Sequence, residues 1–273
     1  MNITNNPRPL ILIANDDGFQ SQGIHALVDF VLPFADVLVC APDGGRSGYS
    51  CAFSAAEPLI LKRIPTEQFL SDMPATELGD HSLDVWSCTG TPVDCVKLAI
   101  DQFCLGRRMP DLIIGGINHG DNSTVNNHYS GTMGVAMEGC LKYIPSIAFS
   151  SCYYDPKANL ESLRPYVQQI VRRVLADGLP RGVCLNVNFP ARQQFEGVRI
   201  CRMTYGRWIH EVQKQHHPCG YDYFWMVGEY LNDEPDAEDT DQWALHHGFV
   251  AITPTHMDVT AYDYMDTLRK WSF

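Results

Sequence analysis

The chain is poor in basic residues: Lys and Arg number 20 against 32 Asp and Glu, a formal net charge of −12 at pH 7. That balance leaves no material for a broad basic face, so neither duplex DNA or RNA nor a membrane surface is an expected partner. A small anionic substrate stays open, because one bound cation reverses the local field. No apolar run approaches the ~20 residues of a membrane span. The opening MNITNNPRPL lacks a charged region followed by a long apolar one, so no signal peptide is expected. The ten cysteines include no C-x-x-C pair, and several, such as Cys40 and Cys184, sit inside apolar runs. Reduced, buried thiols in a cytoplasmic protein are the expectation. Also missing are G-x-G-x-x-G after the first strand, G-x-x-x-x-G-K-[ST] and G-x-S-x-G. Their absence removes the dinucleotide fingerprint, the P-loop and the hydrolase nucleophile elbow.

Material for a core is ample, with 45% hydrophobic and 19% charged residues over 273 positions. Short Ile/Val/Leu runs at Leu10–Ala14, Val37–Ala41, Leu112–Gly115, Ser146–Ser150 and Val183–Val187 do not alternate, as suits strands buried on both faces. Helical patterns separate them. Ile24 to Leu32 follows the first run. Thr91 is a plausible N-cap with Pro92 at the first helical position, and Val93, Val96, Ile100 and Phe103 share a face. Ser130 caps a segment with an apolar stripe of Met133, Met137, Cys140 and Leu141. Leu163 to Val174 forms another, closed by Gly178 and Pro180. This alternation predicts an α/β, Rossmann-like fold: a mainly parallel sheet with helices on both faces.

One domain over 1–273 is expected, with a core at about 8–190 and an extension at about 191–273. The extension is irregular, aromatic in QKQHHPCGYDYFWMVGEY and acidic in LNDEPDAEDTDQ. Phe249–Thr253 reads as a strand and Thr267–Trp271 as a final short helix. Packing on the core, reaching a neighbouring subunit, or an ordinary set of loops and hairpins all fit this composition.

In an open α/β sheet, ligands bind beyond the carboxyl ends of the strands. LILIANDDGF puts Asn15, Asp16 and Asp17 there. Adjacent carboxylates repel unless a proton or cation intervenes, and a hard divalent ion prefers such oxygens. A solvated Asp-Gly turn explains the same residues equally well. The second strand leads into CAPDGGRSGYS, where Gly44, Gly45 and Gly48 allow close approach and Ser47 and Ser50 offer oxygens, or into a plain flexible loop. The third relevant strand ends in IIGGINHGDNS with Asn118, and YSGTMG opens a helix whose free N–H groups at Ser130, Gly131 and Thr132 could cradle phosphate or simply be capped. All four fall on the side where such sheets bind ligands.

Taken in order, ILIANDDGFQSQGI, APDGGRSGYS, GTPVDCV, GGINHGDN, YSGTMGVAMEG and ITPTHMDVTAY resemble the motif set of the SurE family, nucleotidases and acid phosphatases acting on nucleoside monophosphates. The resemblance runs from Leu10 to about Tyr262. It implies a divalent cation, Mg²⁺ or Mn²⁺, on Asp16, Asp17, Ser47 and Asn118, and substrate phosphate surrounded by Asn122, Ser130, Gly131 and Thr132. It also implies a homodimer or homotetramer using the late segment. Departures include Gly115-Gly116 where the family has Ser-Gly, and SDMPATELGDHSLDVW, which resists alignment.

His256 in ITPTHMD matches a family histidine and is a candidate for leaving-group protonation, with a structural histidine as the alternative. The pairs His216-His217 and His246-His247 are expected at the surface or an interface, since sequence neighbours rarely point the same way. The expected activity is metal-dependent hydrolysis of nucleoside monophosphates to nucleoside and phosphate. Two alternatives keep the same residues: a non-catalytic metal and nucleotide sensor, and a phosphatase forming an aspartyl-phosphate. The second normally needs D-x-D, whereas these acids are adjacent.

Overall fold

The computed structural model describes residues 8–71, 73, 81–155 and 157–272. The first seven residues, read above for a targeting signal, and most of the Ser71–Asp80 stretch lie outside them. Strands run β1 Leu10–Ala14, β2 Asp36–Pro42, β3 Leu61–Ile64, β4 Leu83–Cys88, β5 Leu112–His119, β6 Ser146–Ser151, β7 Val183–Phe189 and β8 Val198–Ile200. Then come β9 Gly206–Ile209, β10 Val212–His216, β11 Asp222–Met226, β12 Glu229–Asn232 and β13 Val250–His256. The helices are α1 Gln22–Val31, α2 Thr66–Leu70, α3 Pro92–Ala99, α4 Gly131–Leu141, α5 Arg164–Asp177, α6 Asp241–His246 and α7 Tyr262–Leu268.

Nine strands form one sheet in the order β3-β4-β2-β1-β5-β6-β7-β13-β8. From β4 to β7 every pairing is parallel, while β3 and β13 run antiparallel to their neighbours β4 and β7. The five expected strands are all present, and β1 lies at the centre of the parallel part. Its residues alternate between two cores: Ile11 and Ile13 pack with α1 and α5, Leu12 and Ala14 with α3 and α4. A strand buried on both faces has no polar side, which is why the sequence shows a run rather than an alternation.

The helices start where the caps place them. Ser21, Thr91, Ser130 and Thr240 each accept a backbone N–H from the first turn. Thr91 and Asp94 form a reciprocal capping box, with Pro92 in the first turn. The α3 pattern continues past Ala99 as a π-helical turn, Ile100–Cys104, so Phe103 still reaches the core side and stacks on Trp86.

The segment after Pro190 is interleaved with the core rather than appended to it, since β13 is inserted between β7 and β8. The expected strand at Phe249–Thr253 is β13, and the closing helix begins earlier than expected, at Tyr262. Outside the sheet stand two hairpin pairs, β10 with β11 and β9 with β12. All five residues of β11 are exposed, and α7 buries none of its residues. Among the described residues no helix is long and apolar enough to cross a membrane.

Candidate active site

β1 delivers its acidic pair at the carboxyl edge of the sheet. The Asn15 amide shapes the turn, donating to the carbonyl of Gly18 (2.9 Å) and to Oγ of Ser21 (2.8 Å), while Gly18 N–H donates back to Asn15 Oδ1 (3.2 Å). Gly18 sits at φ +96°, where an L side chain is strained, and a Cβ there would lie 3.2 Å from Gly44. The serine loop thus packs directly on the acidic turn, and Arg46 N–H donates to the carbonyl of Asp16 at 2.6 Å.

Asp16 is 4% exposed and points at the start of α4. The Thr132 hydroxyl and the Gly131 N–H both donate to its carboxylate. No side chain fits at position 131, because a Cβ would stand 2.8 Å from the Asp16 Cβ. Asp17 is half-buried and accepts the His119 N–H at 3.2 Å. Asn118 donates its amide to the Gly120 carbonyl at 2.7 Å, which leaves its side-chain oxygen for another partner. Ser47 stands exposed on the turn beside Arg46, whose guanidinium is held by Asp43 and the Thr89 carbonyl.

Burial pushes the Asp16 carboxyl up to about 6; the Thr132 hydroxyl opposes this and the neighbouring Asp17 charge adds to it. Burial raises Asp17 too, against the His119 N–H. Among the described residues neither acid forms an ion pair with Lys or Arg. Nor do three or more His, Cys, Asp or Glu side chains gather as a metal cluster. Two carboxylates with the Asn118 side-chain oxygen beside Asp17 are oxygen donors of the kind a hard divalent ion takes. Two crowded, desolvated carboxylates that no Lys or Arg pairs with among the described residues, with only His119 acting on Asp17, are what such an ion would relieve.

The residues assigned to phosphate fall into two groups. Ser130, Gly131 and Thr132 open α4 against Asp16, with Ser130 Oγ capping Met133 N at 3.0 Å. Asn122 faces inward. Its amide donates to Ser150 Oγ, its N–H to Asn188 Oδ1 and its carbonyl accepts from Asn186, each at 2.8 Å. It anchors the loop after β5 to β6 and β7.

His256 is not brought to the acids; it lines a separate cavity with Ser50 and His128. Across the sheet Asn118 pairs with Ser150, Ser150 with Asn188 and Asn188 with Ala251, so these share one level. His256 lies at the far end of β13, opposite Val183, about 17 Å along the strand at ~3.4 Å per residue. The expectation took its place from the motif alone, and the antiparallel direction of β13 carries it away. The histidine pairs lie apart from the acids. His216 binds Asp222 at 3.0 Å, and His247 stacks on Trp243.

Two contributors escaped the sequence. The His119 backbone donor to Asp17 leaves no residue signal. Thr132 was read as part of a phosphate cradle, yet its hydroxyl serves Asp16. The fold order, the acidic turn, the serine loop and the α4 start now stand together. Residues 11–210 match the family described as Survival protein SurE.

The chain belongs to the SurE family.

It is 49% identical to a protein of Phocaeicola vulgatus named 5'-nucleotidase SurE, over 97% of both chains. A protein of Bacteroides fragilis with the same name is 46% identical, over 97% of this chain and 98% of that one. Among solved structures, the SurE protein from Aquifex aeolicus superposes with a TM-score of 0.76 at 33% identity, covering 96% of this chain and 98% of that one. The likeness therefore extends through the extension, beyond the family match at residue 210.

Proposed function

We propose that this protein is a 5'-nucleotidase, a phosphomonoesterase that hydrolyses nucleoside monophosphates with a divalent cation held by Asp16, Asp17, Asn118 and Ser47. The carrying observation is the pair of desolvated carboxylates at the carboxyl edge of a parallel sheet, facing a capped helix start and paired with no Lys or Arg among the described residues. The nucleotidase reading is supported by the names of relatives that share nearly the full length of the chain. When bound, Mg²⁺ or Mn²⁺ supplies Lewis acidity and lowers the pKa of a water.

The rest falls to the chain. Asp16 and Asp17 are held by the Thr132 hydroxyl and the His119 N–H, so both keep one orientation through turnover. The start of α4 carries the positive end of an eleven-residue helix dipole toward charge building on the phosphoryl oxygens. Asn122 acts at one remove, fixing the loop that follows Asn118. Neither hydroxyl at the start of α4 is free to form a phosphoenzyme. Thr132 is fully buried on Asp16, and Ser130 is the α4 cap. His256 has no part in this scheme.

The same proposal includes a homodimer or homotetramer. Phe224, Trp225 and Met226 of β11 are 59%, 60% and 74% exposed, an apolar surface that a second copy of the chain would cover. A cytoplasmic location completes it, supported by ten free cysteines. Replacing Asp17 by Asn tests the site. Phosphate release from 5'-AMP should fall by orders of magnitude with the circular dichroism spectrum unchanged, and full turnover would refute the assignment.

A further inference from the structure

Away from the acids, a cavity of about 380 Å³ opens between the end of the serine loop, α4 and the end of β13, and neither Asp16 nor Asp17 lines it. Its wall carries four sulfur atoms and two imidazoles: Cys51, Met137, Met203 and Met257, with His128 and His256. Cys51 follows Ser50, whose Oγ donates to the His128 carbonyl at 2.6 Å and whose N–H donates to the Tyr129 carbonyl at 3.2 Å. That anchorage turns the Cys51 thiol onto Met137 of α4, with Sγ 3.3 Å from Sδ. Met137 and Met257 both pack against the core cluster of Met133 and Cys184, so thioethers from two separate elements reach the same side of the cavity.

Two further side chains point to an occupant. Asn127 and Thr253 line the cavity and are each 5% exposed, and Asn127 Oδ1 and Thr253 Oγ1 have no hydrogen-bond partner among the described residues. Buried polar atoms are normally satisfied, and two orphans on one wall call for a group to satisfy them. Both present oxygen lone pairs, which favour a cation. The Arg202 guanidinium in the same wall is already neutralised, by Glu234 at 2.6 and 2.9 Å and by Asp239 at 2.8 Å.

The donor types select the ion. Among the described residues His, Cys, Asp and Glu alone do not gather in threes, so the site is not of the zinc kind. Thioethers complete the set, and they bind soft ions in preference to Mg²⁺ or Mn²⁺. We propose that Cys51 and Met137, completed by Met257, form a site for one soft monovalent cation, Cu(I) or its redox-inert analogue Ag(I), separate from the carboxylate turn. The proposal does not depend on the phosphatase reading. Around a trigonal ion at about 2.3 Å from each sulfur, two ligands stand roughly 4 Å apart. The sulfur pair therefore opens by less than ~1 Å, a movement that the unbranched Met137 side chain absorbs. On binding, the thiol S–H bond breaks, its proton passes to solvent and Sγ gives the freed electron pair to the ion, with no change of oxidation state. Burial raises the Cys51 thiol, Ser50 opposes this and the Glu138 charge adds to it, so the ion competes with a proton and binds more tightly as pH rises.

The test uses the full chain in thiol-free buffer. Native mass spectrometry with Ag(I) gives the stoichiometry, and competition with bathocuproine disulfonate gives the Cu(I) affinity. Wild type should take up one tightly held Ag(I), and Cys51→Ser should abolish it. Met137→Leu and Met257→Leu keep the apolar volume and should each lower Cu(I) affinity by ~10-fold or more, the scale on which even outer-shell changes register. Cys219→Ser removes the other fully exposed thiol and should bind as wild type does. Thermal unfolding of the ion-free variants checks that each is folded. The proposal is overturned if wild type holds no ion, if Cys51→Ser binds as wild type does, or if the tight ion is lost in Cys219→Ser. Unchanged affinity in both methionine variants would also overturn it, since a thiol alone would then account for the binding.

Discussion

Replacing Asp16 by Asn should make the chelated protein more stable while removing its activity. The folded chain holds this carboxyl at about 6 against an ordinary 3.8, with burial the main cause. A raised acid pKa means the folded state binds the proton more tightly than the unfolded one. Stability is therefore unaffected by this group below pH ~4 and falls as pH rises toward 6. Above that the full penalty applies, about 3 kcal/mol for a shift of roughly two pKa units. An amide at position 16 carries no charge and escapes this penalty. It still accepts from Thr132 and Gly131, though through weaker neutral hydrogen bonds, so a net gain of about 2 kcal/mol is expected. For a chain of this size that is ~4 °C in Tm. The assay is thermal unfolding in EDTA at pH 7.5 and pH 5. The variant should melt higher than wild type at pH 7.5, and the gap should narrow at pH 5 as wild-type Asp16 takes up its proton. Divalent cation should then raise the wild-type Tm and not the variant's. A variant less stable than wild type at pH 7.5 in EDTA, or a gap independent of pH, would refute the electrostatic reasoning.

Asp94 works in the opposite sense. Burial opposes its charge, but hydrogen bonds from Thr91 and Ser54 more than offset that and hold its pKa low, so its stabilisation is present above pH ~4 and lost as pH falls through the folded value. Asp94→Ala should cost about 2 kcal/mol, steepen acid unfolding less than in wild type, and loosen the chain after the serine loop, as read by proteolysis near Ser54. Light scattering at micromolar concentration should give a multiple of the 30.7 kDa chain mass, and Phe224→Asp combined with Trp225→Asp should reduce it; a monomeric wild type would rule out the assembly. Hydrolysis of an isotopically chiral thiophosphate monoester should invert at phosphorus, and net retention or an acid-trapped phosphoserine or phosphoaspartate would mean that a side chain attacks.

The parts of the site readable in the sequence are those written in side chains next to buried strands. LILIA ends in Asn15-Asp16-Asp17 because a strand covered on both faces can expose polar groups only at its tip. Thr91 and Ser130 announce their helices through hydroxyls that satisfy free N–H groups. The edge strands were less visible. β4 alternates core residues with half-exposed Asp84 and Trp86 under the short β3, and β8 is three residues long, too short for a period to show. The antiparallel direction of β13 is a property of tertiary packing, and it places His256 at the opposite edge of the sheet from the acids. Thr132 shows the same limit at atomic scale. Its presence at a helix start was evident, but whether its hydroxyl meets phosphate or Asp16 depends on how closely Gly131 lets two elements approach.

The most direct measurement is phosphate release from 5'-AMP by protein stripped with chelator and then reloaded with Mg²⁺ or Mn²⁺. Asp16, Asp17, Asn118 and Ser47 are assigned to one ion, so stripped protein should be inactive and either ion should restore turnover in wild type but not in Asp17→Asn. Full turnover in exhaustively chelated protein would contradict the account.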